Sequence, residues 1–415
     1  MLVQKDYKFW FCTGSQDLYG DECLAHVAEH SQIIVKALNE SGILPYEVVW
    51  KPTLITNEVI RRTFNEANTD ENCAGVITWC HTFSPAKSWI LGLKELRKPL
   101  LHLHTQFNRE IPYDTIDMDF MNENQAAHGD REFGHIFTRL HKNRKVIMGY
   151  WEDKETQERI GDWMRTAVGV IESSHVRVMR VADNMRNVAV TEGDKVEAQI
   201  KFGWEVDAYP VNEVADAVAQ VGQGDVNALV EEYYDKYQIL LEGRDEAEFR
   251  KHVAVQAQIE LGFERFLEAN NYQAIVTHFG DLGSLQQLPG LAMQRLMEKG
   301  YGFGGEGDAV REHGYGEVFD VVGHYVAAVV GGGPYARAAG QGERASHGGA
   351  DLDAFVVAGG FHQSHDVFED RVVEMHGFAD VAHAQHVFAG EHRMHGGGAV
   401  GDVDLFQDVD AHVVA

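Results

Sequence analysis

Cysteine is scarce in this chain. Among 415 residues there are four, Cys12, Cys23, Cys73 and Cys80. So few exclude a disulfide framework and point to a reducing, cytoplasmic setting. Basic residues are outnumbered: 36 Lys and Arg against 64 Asp and Glu give a net charge of −28. Such a chain repels nucleic-acid phosphates and anionic lipid headgroups, so neither is expected as a partner. No apolar run approaches the ~18 residues that mark a spanning helix. The opening MLVQKDYKFWF has no long apolar core and no small-residue cleavage site, so no secretory signal is expected. The signatures C-x-x-C, H-E-x-x-H and G-x-S-x-G are also missing. What remains is ordinary globular composition, 44% hydrophobic and 24% charged.

A second set of absences is local. Residues 309–415 contain no Lys, Asn, Ile, Thr, Trp or Cys, and only two Leu, Leu352 and Leu405. The same stretch holds 18 Gly, 19 Val, 17 Ala and 11 of the chain's 22 His. A core domain of that size without Ile would be odd. Ile, Thr, Asn and Lys are all encoded by codons beginning with A, whereas Gly, Ala, Val, Asp and Glu codons begin with G. That bias fits a G/C-rich gene translated in a wrong frame after codon 308. The alternative is a genuine Gly/Ala/Val/His-rich tail, disordered or metal-binding. His383 with His386, or His392 with His395, have the spacing for one helix face.

Residues 1–308 alternate apolar runs of strand length with helix-period segments. Strands are expected at Lys8–Thr13, Tyr46–Trp50, Ala74–Cys80, Leu100–His104, Lys145–Tyr150, Val176–Val181 and Ala274–His278. Helices are expected at Glu22–Ser41, Glu58–Glu66, Lys87–Arg97, Asp130–His141, Thr156–Ile171, Val226–Asn270 and Ala292–Lys299. Ala198–Trp204 is a further element of the second series. This order predicts an α/β fold of two consecutive parallel-sheet, Rossmann- or flavodoxin-like domains, at 1–173 and 174–308. Residues 309–415 follow as an atypical tail.

Open parallel sheets bind ligands beyond the carboxyl ends of their strands. Five predicted strands run into unusual polar or Gly-rich segments: Gly14–Gly20, His81–Lys87, Thr105–Asn108, Ala182–Arg186 and Phe279–Leu282. Five at equivalent positions point to one site rich in amide, hydroxyl and aromatic groups. That chemistry suits a polyhydroxy ligand better than a phosphate. The segment Gly300–Asp308 formally contains G-x-G-x-x-G, but lacks the strand and helix context of a dinucleotide site. It presents Glu306, a carboxylate that could bind a divalent metal or move a proton. Asp130 reads as a helix N-cap with His128 just ahead of it. His102 and His104 alternate on one strand and fit a buried, satisfied pair.

Taken together these segments resemble the L-arabinose isomerases. The resemblance is carried by WFCTGSQDLYG, HTFSPAKSWI, HTQFN, IDMDFMNENQAAHG, REFGHI, ERIGDWMR, DNMRNVAVTEGDKVEAQIKFG, LPGLAMQRLM and GYGFGGEGD. It implies an aldose–ketose isomerase dependent on Mn²⁺ or another divalent metal. Such an enzyme interconverts L-arabinose and L-ribulose through an enediol, with D-galactose and D-tagatose as a side activity. It implies a homo-oligomer, typically hexameric, with a third, β-rich domain after the two α/β domains. By motif, Glu306 matches a glutamate that both binds metal and moves protons. Gln16, Leu18 and Tyr19 match a sugar-contacting loop. Phe83, Met185 and Phe279 match apolar walls, and Gln125 and His128 match residues presented across a subunit boundary.

The departure lies in the tail. The family's second catalytic glutamate and two histidine metal ligands fall beyond residue 308, and no family motif appears in 309–415. One carboxylate of four ligands does not define a metal site. The sequence therefore predicts an L-arabinose isomerase that is inactive if the tail is real. A non-catalytic sugar-binding or subunit-modulating relative is the alternative.

Overall fold

The computed structural model of the chain describes residues 5–188, 191–241 and 243–305. The tail 309–415, with its histidine pairs, lies outside the described residues. The described chain forms two compact units that divide between Ile171 and Glu172. Both are mixed α/β with parallel sheets, the architecture the segment order predicts. Among the described residues no helix is long and apolar enough to cross a membrane.

The first unit runs β1 (Lys8–Gly14), α1 (Gly20–Glu40), β2 (Glu47–Leu54), α2 (Asn57–Thr69), β3 (Cys73–Cys80), α3 (Ile90–Glu95), β4 (Leu100–His104), α4 (Met118–Glu123), α5 (Ala126–Leu140), β5 (Lys145–Met148) and α6 (Lys154–Ser173). Its strands are all parallel, in the order β2-β1-β3-β4-β5. β3 stands in the middle and is buried at every residue. Covered on both faces, it can be apolar throughout, which is why CAGVITWC shows no alternation. The edge strand β5 buries only Ile147. On α1, Val27, Ile34 and Leu38 recur at helical spacing and are buried. Thr56 caps α2, its hydroxyl accepting the Val59 N–H at 3.3 Å. One layer of the core gathers Trp10, Phe64, Trp89, Leu93, Phe133 and Phe137.

The second unit runs β6 (Arg177–Val181), α7 (Lys195–Phe202), β7 (Glu205–Tyr209), α8 (Val211–Ala219), α9 (Gln223–Lys236), α10 (Glu246–Asn270), β8 (Ala274–Val276), α11 (Gly290–Glu298) and β9 (Gly302–Gly304). Its four strands are parallel in the order β7-β6-β8-β9. α8 and α10 cross closely at Gly262, where a Cβ would stand 2.5 Å from Val218 Cα. Glu260, buried on α10, is held from three sides. Arg295 Nε and Lys299 Nζ each donate to it at 2.8 Å, and the Tyr233 hydroxyl donates to the same carboxylate. The network ties α9, α10 and the end of α11 around one buried charge.

Several boundaries differ from the sequence reading. Ala198–Trp204 falls mostly in α7, and the strand is the following EVDAY. The stretch 226–270 is two helices, broken after Lys236. The Gly-rich segment at 302–304 is a strand. α5 begins at Ala126, so Asp130 is no N-cap and His128 lies inside the first turn. Asp130 fits the cap rule by type, but its carboxylate is taken by two imidazoles of β4.

Candidate functional site

The order of the first sheet reverses between β1 and β3. In open α/β sheets the crevice beyond the strand ends at that point is where ligands bind. Two loops leave the sheet there. Gly14 ends β1, and a Cβ on it would stand 2.6 Å from the Trp89 ring and 2.7 Å from Ser84 Oγ. Only a glycine lets the two loops approach so closely. They are then tied: Ser15 Oγ and Thr82 Oγ1, both buried, are 2.7 Å apart. Trp89 Nε1–H donates to Ser84 Oγ at 2.9 Å.

Gln16 and Tyr19 on the first loop are half-buried, and Leu18 is 82% exposed. Phe83 on the second loop meets the His128 ring, with centroids 4.9 Å apart. His128 itself is exposed, 3.2 Å from Arg131. The Gln125 amide N–H donates to the His81 carbonyl at 3.1 Å, and its side-chain nitrogen donates to Asn122 at 3.2 Å. Phe83, Gln125 and His128 therefore gather at the end of β3. Gln16, Leu18 and Tyr19 sit on the loop fastened to it.

Behind these loops lie two histidine arrangements: the pairing of His81 with His30 escapes the sequence reading, whereas His102 and His104 are the expected pair and only their partner Asp130 is unforeseen. His81 is fully buried, 2.7 Å from His30 of α1, and stacks on Trp79 at 4.5 Å. Burial pushes its imidazole down to about 3, with the His30 charge adding to the effect. Burial also lowers His30, which stacks on Phe107 at 3.6 Å. On β4, His102 Nε2 lies 2.8 Å from Asp130 Oδ1, and His104 hydrogen-bonds the other oxygen. Burial would raise the Asp130 carboxyl, but the two imidazoles outweigh it and hold it below its ordinary value. The same bond raises His104.

The second sheet reverses between β6 and β8. After β6, Ala182 adopts a φ of +68°, a region costly for a residue with a Cβ. Arg180, 7% exposed, pairs with Asp183 and donates to Asn184 Oδ1 at 2.8 Å, bracing this loop. Met185 lies on it, half-buried. After β8, Phe279 is 52% exposed. Glu306 lies outside the described residues. Among the described residues no three His, Cys, Asp or Glu side chains gather to hold a metal ion.

Comparison with known proteins agrees with this arrangement of elements. Residues 3–175 match the family model described as the L-arabinose isomerase N-terminal domain, and 177–312 match the L-arabinose isomerase central domain. The L-arabinose isomerase of Geobacillus stearothermophilus is 57% identical over 308 residues. Those of Geobacillus thermodenitrificans and Halalkalibacterium halodurans are 56% and 54% identical over 308 residues. Each match covers 74% of this chain and 62% of the relative. The chain thus spans under two thirds of the length of these relatives.

Proposed function

The chain belongs to the L-arabinose isomerase family, and from that premise we propose that its two α/β units carry the sugar-recognising part of an aldose–ketose isomerase for L-arabinose. The observation that supports this reading most is the cluster at the end of β3. Phe83 and His128 in ring contact, with Gln125 tied to His81, combine an apolar wall with neutral donors and acceptors. A neutral polyol needs that combination, in which C–H faces meet aromatic rings and hydroxyls meet amide and imidazole groups. Gln16, Leu18 and Tyr19 extend the same surface, and within the second unit Met185 and Phe279 supply apolar groups on the loops after β6 and β8. D-Galactose, with one more hydroxymethyl group, fits the same chemistry less well.

In the reaction of this family, a proton leaves C2 of the aldose and returns at C1. The C2 hydroxyl passes its own proton to O1, so that C2–O2 becomes the ketone and the C1 aldehyde becomes a hydroxymethyl group. We assign the proton transfer to Glu306, whose carboxylate can accept and return it. Mn²⁺ would stabilise the developing charge, but one glutamate does not make a Mn²⁺ site, and the described residues offer no second ligand set. The reading is therefore sugar binding without turnover for the chain as it stands, in a cytoplasmic homo-oligomer. Calorimetric titration of the purified 415-residue chain with L-arabinose tests it. Saturable heat is expected, and no L-ribulose forms when Mn²⁺ is added. Absence of binding overturns the sugar-site reading, and formation of L-ribulose overturns the loss of turnover.

A further inference from the structure

The loop after β8 leaves its sheet at the reversal point of the second unit. The Thr277 N–H donates to the Gly304 carbonyl at 3.0 Å, so pairing with β9 continues one residue past the strand. His278 is the first residue released from the sheet. Its ring is not free to swing: Nδ1 accepts the Gly280 N–H at 2.9 Å. A nitrogen that accepts carries no proton, so in the neutral ring the proton sits on Nε2. Among the described residues nothing hydrogen-bonds that Nε2, and the side chain is only half-buried. Gly280 helps to set the ring, since a Cβ there would stand 3.1 Å from His278 Cε1. Phe279, next in the chain, offers an exposed aromatic ring.

We propose that His278 is a further sugar-binding residue, its Nε2–H donating to an oxygen of a neutral polyhydroxy ligand while Phe279 covers an apolar face. The inference rests on the sugar-binding reading above. It assigns Nδ1 and Nε2 different jobs, one facing the loop and one facing the ligand. Two conservative replacements separate those jobs. In His278→Asn, an acceptor replaces Nδ1 and the bond to Gly280 survives, but nothing reaches the Nε2 position. In His278→Gln, an amide nitrogen reaches that position and the Nδ1 acceptor is gone.

The test titrates L-arabinose into the full 415-residue chain and both variants by calorimetry. His278→Asn is expected to weaken binding about tenfold, the effect of losing one hydrogen bond. His278→Gln is expected to stay within about threefold of the parent. Binding by His278→Asn equal to the parent's overturns the inference, as does a larger loss in Gln than in Asn. A second measurement needs no variant. With ¹⁵N-labelled imidazoles, exchange of the His278 Nε2–H with water slows when L-arabinose is added, and unchanged exchange overturns the assignment. Failure of the parent chain to bind L-arabinose is a different result, because it removes the sugar-site reading itself.

Discussion

Gly14 shows how much a single position controls. A methyl group there collides with Trp89 and Ser84 at under 3 Å. Gly14→Ala is expected to cost about 1–3 kcal/mol of stability, as overpacked positions do, and to weaken L-arabinose binding by displacing both loops. Urea unfolding and calorimetry check the two effects. His81 is a pH-sensitive element of the same region. Its imidazole is held near 3 in the folded chain but titrates at about 6.5 when unfolded. Above about pH 6.5 both states are neutral and the histidine adds no penalty. As pH falls toward about 3 the unfolded state takes up the proton first, and stability is lost at up to ~1.4 kcal/mol per pH unit. His81→Phe removes that titration, so its stability, measured by urea unfolding at a series of pH values, declines less over this window. The alternation of His102 and His104 on β4 is legible locally, but the partners of the histidines are not. His81 meets a residue of α1, and Asp130 satisfies a cap rule while its partners sit on β4. Pairing across elements leaves no trace in spacing along one of them.

At the scale of elements, the buried charge on α10 matters most. Glu260 is fully buried and answered by Arg295, Lys299 and Tyr233. Removing it takes the acceptor from Arg295 Nε and the Tyr233 hydroxyl, and leaves Lys299 with Glu264. Glu260→Ala is expected to cost roughly 3–5 kcal/mol, read as a shift of the urea midpoint. The strands that the sequence shows best are the ones at sheet centres: an unbroken apolar run such as β3 has only one reading at that length. β7 is harder, because EVDAY is polar at alternate positions and none of its residues is fully buried. β9 is three residues, two of them glycine, and carries no period to detect. The segment Ala198–Trp204 runs past the end of α7 because Trp204, buried just after the helix, extends its apolar pattern.

For the whole molecule the decisive quantity is length. The curated relatives continue for more than a third of their own length beyond what this chain matches. If the tail is a misread frame, the protein purified from its native source will not have the 46.4 kDa mass of this sequence. An intact mass of 46.4 kDa means the tail is made as written, and the sugar-binding reading without turnover applies.

One consequence follows from the parallel register of β1. Lys8 pairs with Glu47 on one side and Cys73 on the other. Of the described strands, the first to leave the ribosome is therefore an interior one of its sheet, and neither neighbour yet exists. At ~5–20 residues per second, KFWFCTG has both edges bare until β2 emerges and one edge bare until β3 follows, a wait of several seconds. An apolar strand with unpaired edges is the template that aggregates. Slow codons between β1 and β3 are thus expected to lower the yield of folded protein in cells, which synonymous variants of that stretch would read out.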